Sequence, residues 1–371
     1  MAVTSSDLYP VSRLAAVQEA TAKAGLDALL LTPGPDLRYV SGYEAKPLER
    51  LTCLVVPASG EPYMMVPRLE LPAAQASPAS RLGLEFVAWD ETDDPYAIAA
   101  ARLGPAGKVG LADRMWAMSS LRFREVLPEA EQVLAGSVLR ELRMRKSAAE
   151  VAALREAGEA IDSVHRRVPE FLRAGRTERE VGRDIAEAIL AAGHETVDFV
   201  IVASGPNGAS PHHDVSDRVI QAGEPVVVDI GGQLHHGYCS DSTRTYSVGE
   251  PPADFAAYYE VLRRAQDAAC AAVRPGVSCE SIDAAARDVI AEAGYGDYFI
   301  HRTGHGIGIE THEEPYIVSG NGEPMEAGFA FSVEPGIYLP GRHGARIEDI
   351  VVCAGGGGER LNNTPRELVI V

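Results

Sequence analysis

Val226-Val-Val-Asp-Ile-Gly-Gly232 and Phe331-Ser-Val-Glu-Pro-Gly336 each set one carboxylate, Asp229 and Glu334, inside an apolar run of strand-like length. Burying an ionised carboxylate is costly unless something positive meets it, and neither run carries a Lys or Arg. A second acid follows each at a short, even interval: Asp241 twelve residues after Asp229, Glu348 fourteen after Glu334. Even spacing lets both acids of a hairpin face the same side of its sheet when the loop length suits. His305 lies between the two pairs. A metal ion is the simplest positive partner for such a set.

The surroundings of the two runs repeat. Gly175–Gly193 and Gly276–Gly294 are both nineteen-residue stretches that open Gly-x-Thr/Ser and run as an amphipathic helix to a terminal Gly. Thr177 with Glu180 has capping-box spacing, Ser278 is a good N-cap without the matching Glu, and the closing glycines suit the left-handed position after a helix. Another helical segment precedes each stretch, and a short β-rich one follows: 197–203 in the first half, 298–302 in the second. The offsets between halves are 101 residues for the opening glycines and 105 and 107 for the acids. Each half therefore reads as helix, helix, strand, then a β-hairpin with one acid per strand, and a pseudo-twofold would gather four carboxylates around one centre.

Upstream, Val11, Leu14 and Val17 fall at helical spacing before Gly25, and 26–32 reads as a buried strand. Residues 51–56 and 63–66 read as a hairpin around a Gly-containing turn. The composition turns basic over 140–146, and Ser147-Ala-Ala-Glu150 has capping-box spacing. The sequence thus predicts an α/β (α+β) chain with a small mixed α/β domain over 1–145 and a second domain over 146–371 holding the repeat.

The 371 residues are 46% hydrophobic and 23% charged, ordinary for a soluble globular protein, with a formal charge of -19. That charge, with no clustered Lys or Arg, argues against a nucleic-acid binder. Five cysteines, odd in number and without a C-x-x-C pair, indicate neither a disulfide framework nor a zinc ribbon but small buried thiols. No basic segment followed by an apolar one opens the chain, and no stretch is long enough to span a bilayer, so a cytoplasmic location away from membranes is expected.

Four carboxylates and an imidazole are mainly hard oxygen donors, suited to Mn²⁺ or another octahedral-capable ion more than to a thiolate zinc site. They would neutralise two divalent cations held about 3.5–4 Å apart by bridging oxygens, an arrangement that lowers the pKa of a shared water and polarises a carbonyl. Hydrolysis also needs a group to shuttle protons and bind the oxyanion, and histidines stand in suggestive places: His212 and His213 after Ser-Pro, His301 and His305 in His-Arg-Thr-Gly-His-Gly-Ile-Gly, His312 in Glu-Thr-His-Glu-Glu-Pro, and His343 in the loop before Glu348. The Gly-rich context of His305 favours it as a ligand. His235 and His236 read as solvated turn residues, and His165 and His194 have no supporting context. Gly304–Gly308 lacks the G-K-[ST] of a phosphate loop, Gly355–Gly358 reads as a turn before a final strand, and no Gly-x-Ser-x-Gly elbow is present.

At these residues the sequence resembles the pita-bread metallopeptidases, in the proline-peptidase branch containing Xaa-Pro dipeptidase (prolidase) and aminopeptidase P. The resemblance rests on Val-Val-Asp-Ile-Gly-Gly, Ser-Asp-Ser-Thr-Arg-Thr, His-Arg-Thr-Gly-His-Gly-Ile-Gly-Ile-Glu-Thr-His-Glu, Val-Glu-Pro-Gly-Ile-Tyr and Ala-Arg-Ile-Glu-Asp, and residues 1 to about 145 look like the creatinase-type N-terminal domain of this branch. It implies that Asp229, Asp241, His305, Glu334 and Glu348 bind two divalent metal ions, Mn²⁺ ahead of Co²⁺ or Zn²⁺, with Asp241 and Glu348 bridging. Glu334 would be the general base or proton shuttle, His212 and His312 would contact substrate and the developing oxyanion, His301 would border the proline-side pocket, and Arg346 would help orient substrate and site. The family's aliphatic residue before His312 is here Thr311, and the stretch 301–313 looks closer to prolidase than to aminopeptidase P.

The expected substrate is a small peptide with proline in second position, and the expected assembly is a homodimer. Xaa-Pro dipeptidase is favoured, with Xaa-Pro aminopeptidase acting on longer peptides as the alternative. A metal-free creatinase-like amidinohydrolase and a non-enzymatic binding paralogue are disfavoured by retention of all five ligands. Methionine aminopeptidase is disfavoured by the long N-terminal domain.

Overall fold

A computed structural model describes residues 4–371, which form two compact units that divide between Arg143 and Met144. The first is built on a six-stranded sheet of β1 (Ala28–Leu31), β2 (Cys53–Pro57), β3 (Tyr63–Pro67), β4 (Glu85–Trp89), β5 (Lys108–Leu111) and β6 (Glu131–Leu134), in the order β4-β3-β2-β1-β5-β6. β2 and β3 are the hairpin expected around the Gly-containing turn, in register Cys53↔Met65. The helix Val11–Lys23 buries Leu14 and Val17, whereas Val11, at its first position, is exposed.

In the second unit the helices Ala148–His165 and Glu178–Ala191 belong to the first half of the repeat, and Ala253–Ala272 and Cys279–Glu292 to the second. Both capping boxes form: Ser147 with Glu150 and Thr177 with Glu180 each exchange side-chain and backbone bonds. Ser278 occupies the N-cap without a side-chain bond. The free N–H groups of Cys279 and Glu280 find the carbonyls of Glu323 and Asn321, which satisfies two of the helix's four unpaired donors.

The first half continues with β7 (His194–Ser204), β8 (Glu224–Leu234) and β9 (Cys239–Val248), which with β17 (Val369–Ile370) form a sheet in the order β17-β9-β8-β7. The second half supplies β10 (Gly304–Gly306), β11 (Glu313–Ile317), β12 (Ala330–Val333), β15 (Asp349–Ala354) and β16 (Gly357–Arg360), ordered β11-β10-β12-β15-β16, with a separate hairpin of β13 (Gly336–Leu339) and β14 (His343–Arg346). On β8, Val226, Val228 and Ile230 pack with Ile161, Val181 and Ile185 of the first two helices. Period two then turns Asp229 to the opposite face. In the second half Phe331, Val333 and Val351 pack with Leu262 and Ile282 of the other helix pair, which leaves Ser332 on the face away from the helices.

Two expectations need correction. Residues 298–302 form no strand: a single 3₁₀ turn, Gly296–Tyr298, leads into irregular chain, and Arg287 donates to the carbonyls of Phe299 and His301 that a neighbouring strand would have used. Glu334 and Glu348 also sit just outside β12 and β15 rather than on them. Val333↔Asp349 is the last register pair, and one step further the two acids face each other. Among the described residues no helix is long and apolar enough to cross a membrane, and all five cysteines are free and buried.

Candidate metal centre

The register of the hairpins brings the acids together. Asp229 is opposite Thr243 and Gly231 opposite Asp241, so the two aspartates stand diagonally across the β8–β9 ladder on its helix-free face. Ligand atoms of Asp241, His305 and Glu348, all buried, lie within 4.8 Å of one another. His305 Nε2 is 3.2 Å from Glu334 Oε1 and 3.6 Å from Asp241 Oδ2. Its Nδ1 lies 3.1 Å from the Gly306 carbonyl, and an N–H there turns Nε2 to the acids, as a donor to Glu334 when the ring is protonated and as the lone-pair nitrogen that a metal requires when it is neutral. The glycines flanking His305 serve close approach: a Cβ at 304 would stand 1.8 Å from the Ser332 carbonyl oxygen, and one at 306 would stand 2.3 Å from that of Glu314.

All the residues singled out as ligands or substrate contacts line one cavity of about 720 Å³, together with His213 and the apolar Phe199, Val200 and Ile201 of β7. His212 and His312 reach solvent there, the His312 ring centred 4.0 Å from that of His305. His301 has both nitrogens engaged: Nδ1 donates to the Arg302 carbonyl at 2.7 Å, and Nε2 accepts from the Tyr338 hydroxyl at 2.9 Å. It therefore borders the cavity as a ring, with no N–H to spare.

The acids have a positive partner after all. Arg346, 2% exposed on β14, donates to Asp229 Oδ2, to Tyr338 Oη at 2.8 Å and to Thr243 Oγ1 at 3.1 Å. Thr243 Oγ1 in turn donates a hydrogen bond to Glu348 Oε2 at 2.6 Å. Sequence reading had seen no base on the acid-bearing runs, because Arg346 comes from a strand 117 residues from Asp229. Thr243 and Tyr338 were also missed. Thr243 was legible in principle, two residues after Asp241 and hence on its face.

Electrostatics records the crowding. Burial, then the neighbouring carboxylates, hold Asp241 and Glu348 well above the usual carboxylate range. Burial pushes Glu334 up as well, but the His305 hydrogen bond and the charges of His305, His301 and Arg346 outweigh it and hold Glu334 down at about 2. Burial lowers the His305 imidazole, and Glu334 more than reverses this. The packing around the His312 ring, then the nearby His305, holds His312 down at about 4 although its edge reaches solvent.

Arg346 alone cannot balance four acids. Asp229 Oδ1 is buried with no hydrogen-bond partner among the described residues, a cost that proteins rarely leave standing. Oxygen donors with one imidazole and no thiolate fit hard divalent cations, so the residues suit a metal centre.

Other histidines lie elsewhere. His165 bonds to Tyr246 and the Ser242 carbonyl, and His194 to Ser240 and the Ile189 carbonyl. His343 is not in a loop but buried on β14, against Tyr258 Oη at 2.9 Å. His235 is exposed, as expected of a turn; His236 is buried, its Nδ1 accepting from the Tyr238 N–H that the tight β8–β9 turn would otherwise strand.

The fold and the centre define a pita-bread metallopeptidase. The family model "Metallopeptidase family M24" matches residues 152–354, and "Creatinase/Prolidase N-terminal domain" matches 13–145. The chain belongs to metallopeptidase family M24 and is an enzyme, a peptide hydrolase. It is 56% identical to the probable dipeptidase PepE of Mycobacterium tuberculosis over 97% of this chain and 96% of that one. It is 35% identical to the Xaa-Pro dipeptidase of Lactobacillus delbrueckii subsp. lactis over 94% and 95%. The crystal structure of dipeptidase PepE from Mycobacterium ulcerans covers 100% of both chains at 56% identity with a TM-score of 0.93.

Proposed function

We propose that the chain is an Xaa-Pro dipeptidase that hydrolyses the bond between an N-terminal residue and proline with the help of two divalent metal ions. The observation that carries this reading is the convergence of Asp229, Asp241, His305, Glu334 and Glu348 on one cavity, with a buried carboxylate oxygen left unpaired. These five residues would hold the ions. When bound, the ions supply Lewis acidity and a nucleophile at neutral pH.

The chain's own groups do the rest. Glu334, beside His305, accepts and returns a proton. His312 is neutral near pH 7 and offers an N–H to the developing oxyanion, with His212 beside substrate. The His301 ring, fixed by Tyr338, forms a wall for proline. Arg346 holds Asp229 in place. The dipeptidase names of the relatives support the short-substrate reading. Mn²⁺ as the metal, a homodimer as the working form and the cytoplasm as its place, where five unpaired thiols stay reduced, complete it.

The test strips the protein with chelator, restores Mn²⁺, and compares an Xaa-Pro dipeptide with an Xaa-Pro-Yaa tripeptide. Activity should vanish with the metal, return with it, and favour the dipeptide. Full activity in metal-free protein overturns the metal assignment, and faster tripeptide cleavage moves the enzyme to the aminopeptidase side.

A further inference from the structure

One carboxylate outside the ligand set collects more hydrogen bonds than any role in capping requires. Glu178, the first residue of the helix Glu178–Ala191, is fully buried. Its Oε1 accepts from the backbone N–H and the hydroxyl of Ser204, both at 2.8 Å, and from Asn207 Nδ2 at 3.0 Å. Its Oε2 accepts from Ser216 Oγ at 2.5 Å and from His213 Nε2 at 2.8 Å. These partners span the whole loop from the end of β7 to residue 216, the segment that carries His212 into the cavity.

A carboxylate only accepts, so every donor turns inward to it, His213 as the Nε2–H tautomer. His212 is thereby bracketed. On one side Pro211 is held through its carbonyl by Arg346 at 3.3 Å; on the other, His213 is held by Glu178. The His212 ring is left free to reach the cavity while its backbone is fixed on both sides.

The second half of the repeat uses the same device. Asp283, on the helix Cys279–Glu292, accepts from the N–H of Thr303 at 3.0 Å and its hydroxyl at 2.8 Å. Thr303 in turn receives the Glu334 N–H on its carbonyl at 2.8 Å. In each half, an acid on the second helix grips the N–H and hydroxyl of a Ser or Thr at the head of a histidine-bearing segment.

We propose that Glu178 is a positioning residue for the hydrolysis, acting on substrate only through the loop that presents His212. This rests on the assignment of His212 as a substrate contact. The experiment is a double-mutant cycle in the Mn²⁺-loaded enzyme between Glu178→Gln and His212→Ala, with metal content and melting temperature measured on every variant. Glu178→Gln should keep its metal and lower kcat/KM about 10- to 100-fold, more in kcat than in KM, as expected when a group is displaced by about an ångström. In the His212→Ala background the same change should cost less than about twofold. Asn207→Ala, which loosens the loop from its own side, should show the same dependence on His212 with a smaller loss, and stands in if Glu178→Gln does not fold. Equal losses in both backgrounds, or full activity of Glu178→Gln, overturn the positioning role and leave His212 assigned. An unimpaired His212→Ala enzyme overturns both.

Discussion

Replacing Arg244 by Met tests how the fold holds Glu348 in place. Arg244 is 3% exposed, and its Nη2 meets Asp349 Oδ1 at 2.6 Å. It also donates to four carbonyls: Glu348 at 2.6 Å, Thr364 at 2.7 Å, Thr243 at 2.8 Å and Pro365 at 2.9 Å. Methionine fills similar space without a charge, so among the described residues Asp349, 1% exposed, keeps Gln266 and the more distant Arg360. Removing one member of a buried ion pair costs about 3–5 kcal/mol. For a unit the size of Met144–Val371, each kcal/mol is worth about 2–4 °C, so the melting temperature should fall by about 6–20 °C. Differential scanning calorimetry of metal-free protein reads this directly. Adding Asp349→Asn to Arg244→Met should recover part of the loss, because it removes the stranded charge. A fall smaller than about 3 °C would refute the reasoning, since the ion pair would then be no better than a solvated one.

Two further outcomes are expected. A Cβ at Gly344 would stand 2.1 Å from the Gly208 carbonyl oxygen, so Gly344→Ala should push back the loop that carries His212 and reduce kcat/KM by about tenfold or more while the bound metal, counted by elemental analysis, stays constant. For Glu178, burial pushes the carboxyl up, but the bonds from Ser216, Ser204 and His213 win and lower it from its ordinary 4.5. An acid lowered in the folded state contributes stability that is present above its unfolded value and disappears as pH falls through the folded one. Thermal melts between pH 6 and 3 should therefore show wild type losing stability more steeply below about pH 4.5 than Glu178→Gln; parallel curves would contradict this.

The parts of the fold that were legible in the sequence are those in which local chemistry decides. The capping boxes at Ser147 and Thr177 formed because a Glu stands three residues on from each cap, and the apolar run Val226–Ile230 made Asp229 stand out from its neighbours. The convergence of the acids was legible because their even spacing survives as hairpin register. What escaped depends on contacts distant in sequence. Nothing near Arg346 announces Asp229, and nothing near Glu178 announces Ser204 or His213. The 298–302 segment looked like a strand because its aromatic and β-branched residues favour one, yet Arg287 had claimed its carbonyls. His236 looked solvated because turns usually are.

The division of the donor set between the two halves has a consequence for how the molecule comes apart. Asp229 and Asp241 come from the first half and His305, Glu334 and Glu348 from the second, with Thr243 bonded across to Glu348. Neither half by itself can assemble the centre. An ion gripped from both sides works as a removable rivet: its binding energy counts only while both halves stay docked, and it is lost at once when either opens. On the proposed assignment, metal release would read out whether the two halves remain together, and metal supply would set how readily they separate.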